Sequence, residues 1–140
     1  MNQSVHFSLT DEEFTSQFSS LSLAPSWFTH EAHLRLTYIL IKRMSIREAT
    51  EEICGQIKAF DSHHGDGQKY HRTITVAAVK TVAHFAQRSP QSSFEDLMTK
   101  FPRLKNNFIG LLKAHYSPSR LADPEGKVLF LESDLLPYDS

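Results

Sequence analysis

The sequence predicts an all-α fold: a single domain that forms an irregular bundle of five or six helices and ends in an irregular C-terminal tail. Apolar residues recur at helical spacing in nearly every segment between the prolines and glycines. No segment alternates polar and apolar residues and no hairpin signal occurs, so a sheet is not expected. The chain has 140 residues, the usual size of one domain, with the helical core expected at about 10–115 and the tail, 116–140, packed on it.

Three N-terminal capping signals open the first three helices. Thr10 with Glu13 and Ser45 with Glu48 are capping boxes, in which the hydroxyl and the carboxylate each accept a backbone N–H. Thr29 precedes the second helix as its predicted N-cap. The three helices are expected at about 11–21, 30–44 and 46–60.

The second half of the chain begins with a predicted loop. The segment 61–68 is rich in glycine, aspartate and histidine, which is typical of a loop. A capping box of Ser92 with Glu95 opens the fifth helix, and Pro102 interrupts the helical pattern after it. The remaining helices are expected at about 69–88, 104–114 and 117–121. The apolar run 127–131 is expected to pack on the helical body or to form a short strand.

Composition and charge exclude several classes of protein. The chain carries 15 basic and 16 acidic side chains, and this balance argues against nucleic acid or an anionic membrane as a partner. Cys54 is the single cysteine, so an internal disulfide and a cysteine-rich metal site are excluded. The first residues show no signal-peptide pattern, and the longest apolar stretch, 36–41, is far shorter than the ~20 residues of a membrane helix. We expect a cytoplasmic protein.

The eight histidines of the chain are the main candidates for a functional site. At about 100° per residue, His30 and His33 fall side by side on the apolar face of the second helix. His71 and Thr75 fall at the centre of the apolar face of the fourth helix, whereas His84 falls on its solvent side. The polar side of the second helix is expected to carry Glu31, Arg35 and Lys42.

Three of these imidazoles, His30, His33 and His71, are predicted to point inward from the first turns of their helices. If those helix starts meet at one end of the bundle, the rings line one polar pocket. Such a pocket is expected to bind a small molecule, because buried imidazoles need polar partners and helix N-termini favour anionic groups. The same three histidines are candidate ligands of a divalent transition metal ion such as zinc, nickel or iron. Thr75 is expected to line the pocket as well, with Tyr70 and Trp27 nearby.

Two classes of function stay open from these residues. The first is a binding module or an enzyme, which would use histidine as a general base or would activate a metal-bound water. The second is a non-enzymatic helical interaction protein whose inward histidines are structural, each bonded to a carbonyl or to a hydroxyl such as Thr37 or Thr75. A cavity that touches all three rings favours the first class, and separately bonded rings in a dry core favour the second. The sequence does not decide whether the chain is an enzyme.

Two histidine motifs and the C-terminal tail carry a resemblance to a known family. The segment Phe28–Arg35 contains the motif His-x-x-His-Leu, and the segment Lys69–Thr75 begins with Lys-Tyr-His. Together with the tail between Tyr116 and Pro137, these segments resemble a family of small, mainly bacterial helical proteins with a His-x-x-His-Leu motif and a later Tyr-His-Glu-Thr motif. The resemblance covers 27–137 of this chain. The family has no established activity, so the resemblance implies no substrate.

The resemblance implies a set of site residues. They are His30, His33, Tyr70, His71 and Thr73. This chain departs from the family pattern at Arg72, which stands where the pattern has glutamate. If that glutamate is a ligand or a base in the family, a metal site in this chain needs a carboxylate from elsewhere, and Glu31 is the nearest candidate.

Overall fold

The predicted all-α fold is confirmed by a computed structural model that describes residues 5–138. Within these residues there are eight α-helices, three short 3-10 helices and no strand, and 68% of the residues are helical. None of the described helices combines the length and the apolar character that crossing a bilayer requires. The chain divides into two compact units, Met1–Tyr70 and His71–Ser140. The organisation of the chain as a single domain stays a prediction.

Each α-helix of the first unit begins where the sequence predicts it. The helices are α1 (Asp11–Ser19), α2 (His30–Arg43) and α3 (Ile46–His64), and short 3-10 helices lie at Val5–Ser8 and Pro25–Trp27. Thr10 and Ser45 form the predicted capping boxes, and the Thr29 hydroxyl accepts the backbone N–H of Ala32. The buried side chains of this unit include Phe14, Phe18, Leu36, Ile53 and Phe60.

The third helix extends beyond its predicted end. α3 continues to His64, so the predicted loop begins at Gly65 rather than at Asp61. The buried carboxylate of Asp61 accounts for the difference, because its Oδ2 accepts the backbone N–H groups of Lys69 and Tyr70, both at 2.8 Å. A residue type that favours loops therefore lies on a helix here and ties the following loop to that helix.

The second helix is buried on a side that the sequence predicts to be polar. Glu31 and Arg35 are only 7% and 5% exposed, whereas Lys42 is exposed as predicted. The N-terminal segment covers this side of α2: His6 Nε2 lies 3.0 Å from Glu31 Oε1, and His6 Nδ1 lies 3.2 Å from Arg35 Nη1. A projection of one helix cannot show that a distant part of the chain packs on it, so this prediction was wrong.

The described part of the second unit contains five α-helices and a 3-10 helix at Pro124–Lys127. The α-helices are α4 (Arg72–Gln87), α5 (Phe94–Lys100), α6 (Arg103–Asn106), α7 (Phe108–Lys113) and α8 (Pro118–Ala122). Asn107 divides the predicted helix over 104–114 into α6 and α7. It ends α6, and its side-chain oxygen accepts the backbone N–H of Gly110 at 3.2 Å to cap α7.

The start of α5 lies one residue after its predicted position. Ser93, not Ser92, is the N-cap and forms a capping box with Asp96. Both serines satisfy the same local rule, since each has an acidic residue three positions later. The local pattern therefore does not distinguish the two positions; in the structure the buried Phe94 directly follows the cap.

The C-terminal tail is joined to the rest of the second unit by hydrogen bonds and by partly buried side chains such as Tyr138. Val128 and Leu129 are 72% and 57% exposed, so the prediction that the run 127–131 packs on the body is only partly correct. The buried Thr73 hydroxyl donates to the carbonyl of Leu129 at 2.9 Å and accepts the N–H of Leu131 at 3.0 Å. The Tyr116 hydroxyl donates to the Leu131 carbonyl at 2.7 Å. Backbone polar groups of the tail thus find partners on α4 and after α7.

Candidate functional site

One imidazole nitrogen in the first unit is buried without a partner. His33 lies in the first turn of α2, and its Nε2 is the only enclosed side-chain nitrogen or oxygen among the described residues that has no hydrogen-bond partner. The ring as a whole is partly buried and stacks at 29° on Phe28, with the ring centroids 5.8 Å apart. The site therefore offers one unpaired polar atom on a ring that stacks on an aromatic side chain.

The electrostatic surroundings of His33 keep its ring neutral. The pKa of His33 is lowered from 6.5 to about 4; burial is the larger cause, and the electrostatic interaction with the neighbouring His30 is the smaller one. At neutral pH one ring nitrogen carries a proton and the other accepts a hydrogen bond. Nε2 can take either role, according to the tautomer that a ligand selects.

Three phenylalanines form an aromatic cluster beside His33. Phe18 stacks on Phe28 and on Phe60, with centroid distances of 4.4 and 4.7 Å, and Phe28 lies 5.4 Å from Phe60. His64 extends the cluster at 4.5 Å from Phe60, and its Nε2 donates to the carbonyl of Leu21 at 2.8 Å. We call Phe18, Phe28 and Phe60 the aromatic cluster. It comes from α1, the segment before α2, and α3.

The other predicted site residues of the first unit differ in their exposure. His30 is exposed, so its predicted inward orientation was wrong. It is the first residue of α2, where no preceding turn of helix covers the side chain. Trp27 and Tyr70 are partly buried, and the Tyr70 backbone N–H is bound to Asp61.

His71, in the second unit, is a helix cap. It is the N-cap of α4, and its Nδ1 accepts the backbone N–H of Ile74 at 3.1 Å. Burial lowers the pKa of His71, a hydrogen bond with the backbone of Leu121 opposes this effect, and the charge of Lys127 adds to it. Thr75 is buried, and its hydroxyl donates to the His71 carbonyl at 2.7 Å. The prediction that His71 lies within the fourth helix was wrong, because the helix begins one residue later.

The predicted metal site has no counterpart within either unit. Among residues 5–138, no group of three or more histidine, cysteine, aspartate or glutamate side chains could hold a metal ion. His30 and His33 belong to the first unit and His71 to the second. The convergence of the three rings on one pocket therefore stays a prediction.

The sequence did not predict the polar network around His6. His6 is fully buried and both of its nitrogens are engaged. A guanidinium only donates, so His6 Nδ1 accepts from Arg35 and Nε2–H donates to Glu31. Glu31 and Arg35 are four residues apart and share one face of α2, and this spacing is the signal that could have indicated a joint role. Because both of its ring nitrogens already have protein partners, His6 is a structural residue.

No family model, curated protein sequence or solved structure matches this chain. The fold and the site define an all-α protein with an unpaired imidazole nitrogen beside an aromatic cluster.

Proposed function

We propose that this protein binds a small, uncharged molecule through Nε2 of His33, with the body of the ligand packed against the aromatic cluster. The observation that supports this function is the enclosed, unpaired Nε2. An unsatisfied buried polar group costs about 1–3 kcal/mol, and native structures retain few of them. A ligand that forms a hydrogen bond with Nε2 removes this cost.

The surroundings of His33 indicate the chemistry of the ligand. A neutral imidazole can bind an N–H, an O–H or a carbonyl group. The phenyl rings of Phe28 and its cluster neighbours suit a planar apolar body. A divalent metal also binds neutral imidazole, but phenyl rings bring no negative charge to balance a dication. The proposal is therefore an organic ligand rather than the metal ion that the sequence also allows.

The pKa of His33 supports binding rather than proton transfer. A general base works best when its pKa lies near the operating pH. With a pKa of about 4, His33 is a weak base at neutral pH. The proposed role is that of a hydrogen-bonding group in a binding protein.

A specific observation favours the alternative, an interaction protein with structural histidines. Several histidines are already bonded to other protein groups: His6, His64, His71, His84 and His115. On this alternative His33 Nε2 binds only a buried water, which is the usual partner of such a group.

A phenol titration at neutral pH separates the two functions. Phenol carries one O–H donor on a planar six-membered ring, and the nitrogen resonances of the imidazole side chains report which histidine it meets. We expect a saturable shift of the His33 Nε2 resonance and no binding to the His33→Phe variant. The matched control is His30→Gln, at the exposed neighbouring histidine, which should bind phenol like the unmodified chain.

Two results would contradict the proposal. One is an unshifted His33 resonance with a bound water detected at Nε2, which supports the structural alternative. The other is binding of Co²⁺, but not phenol, that depends on His33, which supports a metal site.

A further inference from the structure

The second unit contains a cavity that is lined by residues of α4, of the end of α7 and of the C-terminal tail. It has a volume of about 110 Å³ and is partly open to solvent. Its surface is mostly apolar, with Phe85, Leu111 and Ala114 among the residues that line it. Every lining residue belongs to the second unit. The cavity is therefore a feature of this unit alone.

Three polar side chains that line the cavity are bonded to other protein groups. The Thr81 hydroxyl donates to the carbonyl of Ala77 at 2.8 Å and lies 3.4 Å from the Tyr138 hydroxyl. His115 Nδ1 lies 2.8 Å from the carbonyl of Leu136, which can only accept, so Nδ1–H donates to it. These bonds are made within the protein and need no ligand.

The tail is fixed where it lines the cavity. Besides the contact with Thr81, the Tyr138 ring stacks on His115 at an interplanar angle of 14°, with the ring centroids 3.9 Å apart. The stacked rings and the carbonyl bond of His115 join the tail to the end of α7. The cavity is thus formed before a ligand arrives, as is usual for small-molecule sites.

A mostly apolar cavity favours an apolar ligand for two reasons. Water in such a cavity finds few hydrogen-bond partners, and replacing poorly ordered water by an apolar group gains affinity. A polar ligand, in contrast, gives up hydrogen bonds to bulk water and meets mainly carbon atoms. The composition of the cavity surface therefore selects against charged and strongly polar molecules.

The volume of the cavity limits the size of the ligand. An apolar cavity of about 150 Å³ binds benzene. A cavity of about 110 Å³ that is partly open to solvent is therefore large enough for one ring of five or six atoms and too small for two fused rings.

We propose that this cavity is a binding site for a small, uncharged, apolar ring compound. The ligand packs against Phe85, Leu111 and Ala114 and takes the place of water. Its affinity comes from the burial of apolar surface and from dispersion contacts, without a required hydrogen bond. The site is independent of the one proposed at His33.

Thiophene and pyrazole form a matched pair of probes. Both are flat five-membered rings, but thiophene has no N–H or O–H, whereas pyrazole carries an N–H beside a nitrogen acceptor. In backbone amide spectra of the full chain, we expect thiophene to give saturable shifts at Phe85, Leu111 and Ala114, with a Kd in the millimolar range. Pyrazole should bind at least about fivefold more weakly, because its polar groups lose their hydration.

Two variants at Leu111 change the size of the cavity in opposite directions. Leu111→Phe fills the cavity, so thiophene binding should be lost. Leu111→Ala widens the cavity, so the larger p-xylene should bind more tightly to this variant than to the unmodified chain. The matched control is Ile109→Phe, which adds a phenyl ring at an exposed position of the same helix and should leave thiophene binding unchanged.

Three results overturn the proposal. The first is the absence of saturable thiophene shifts in the unmodified chain. The second is pyrazole binding that equals or exceeds thiophene binding, which indicates a polar site. The third is thiophene binding that persists in Leu111→Phe. If Leu111→Phe does not fold, p-xylene affinity decides the question, and equal affinity for Leu111→Ala and the unmodified chain counts against the site.

Discussion

The histidines of this protein differ in the partners of their ring nitrogens, and this difference determines what each can do. His6 is bonded at both nitrogens and stabilises the N-terminal segment. His71 uses Nδ1 to cap a helix. Only His33 keeps an enclosed nitrogen without a partner among the described residues, and that nitrogen is where a ligand can act.

The stability of the protein should fall as the pH drops below about 6.5. The folded pKa of His33 is about 4 and its unfolded value is 6.5. Because the folded pKa is the lower one, the contribution of His33 to the free energy of unfolding is complete above pH 6.5 and is lost as the pH falls through about 4. The drop from 6.5 to about 4 corresponds to about 3 kcal/mol. Urea unfolding between about pH 4 and pH 7.5 measures this loss in the free energy of unfolding.

The His33→Phe variant isolates this contribution. Phenylalanine keeps the stacking on Phe28 and has no nitrogen to leave unpaired, so we expect about 1–3 kcal/mol of added stability at neutral pH. The variant should lose less stability than the unmodified chain as the pH falls. The loss that remains comes from His71, because burial lowers the pKa of His71 as well. Parallel pH profiles for the two proteins would contradict the assignment to His33.

Replacing Arg35 with lysine should destabilise the first unit by about 2–4 kcal/mol. The buried guanidinium donates to the carbonyls of His6 and Leu9 and to Asp11, at 2.7, 2.9 and 2.9 Å. A lysine ammonium lacks this planar set of donors. Arg43→Lys is the control, because that arginine pairs with Glu12 at the surface. Chemical unfolding that gave equal losses for both variants would argue against a special role of Arg35.

At the scale of elements, the starts of α1, α2 and α3 depend on short-range signals, whereas the end of α3 depends on a contact made further along the chain. Thr10, Thr29 and Ser45 cap the helices that the sequence predicts, because a cap involves only the next three residues. The end of α3 depends on Asp61, which binds backbone groups eight and nine residues further on. The helical spacing of the apolar residues contains no such information.

The cap of α4 leads to a prediction about acid stability. Protonation of His71 turns Nδ1 into a donor and abolishes its bond from Ile74. His71→Asn provides an acceptor that does not titrate, so this variant should lose less stability than the unmodified chain as the pH falls below 6.5. His71→Ala should be about 1 kcal/mol less stable than His71→Asn at neutral pH.

Thermal unfolding at several pH values measures both effects. His71→Asn and His71→Ala both lose the contact with Leu121, so the difference in stability between these two variants measures the contribution of the cap alone. Equal stability of the asparagine and alanine variants would show that the cap contributes nothing.

At the scale of the whole molecule, distant parts of the chain are joined by single polar side chains. Thr73 at the start of α4 binds both Leu129 and Leu131 of the tail. Thr73→Val keeps the shape and removes the partner of the Leu129 carbonyl and of the Leu131 N–H, so we expect a loss of about 1–3 kcal/mol. Hydrogen exchange at the Leu131 amide should become faster.

The exposed Thr99 provides the matched control for Thr73. Its hydroxyl donates only to the carbonyl of Glu95, within the same helix. Thr99→Val should change the free energy of unfolding by less than about 0.5 kcal/mol. If urea unfolding and hydrogen exchange give the same result for both valine variants, the tail is not held through Thr73.

The sequence by itself determined the all-α class and the starts of α1, α2 and α3, because helical spacing and capping act over three or four residues. It also singled out His33, which lies at helical spacing with the buried apolar residues of α2. Only the tertiary structure decided that Glu31 and Arg35 are buried, that His30 is exposed and that His115 lines a cavity. The physical reason is that burial depends on which distant segment covers a helix face, and one-helix periodicity does not contain that information.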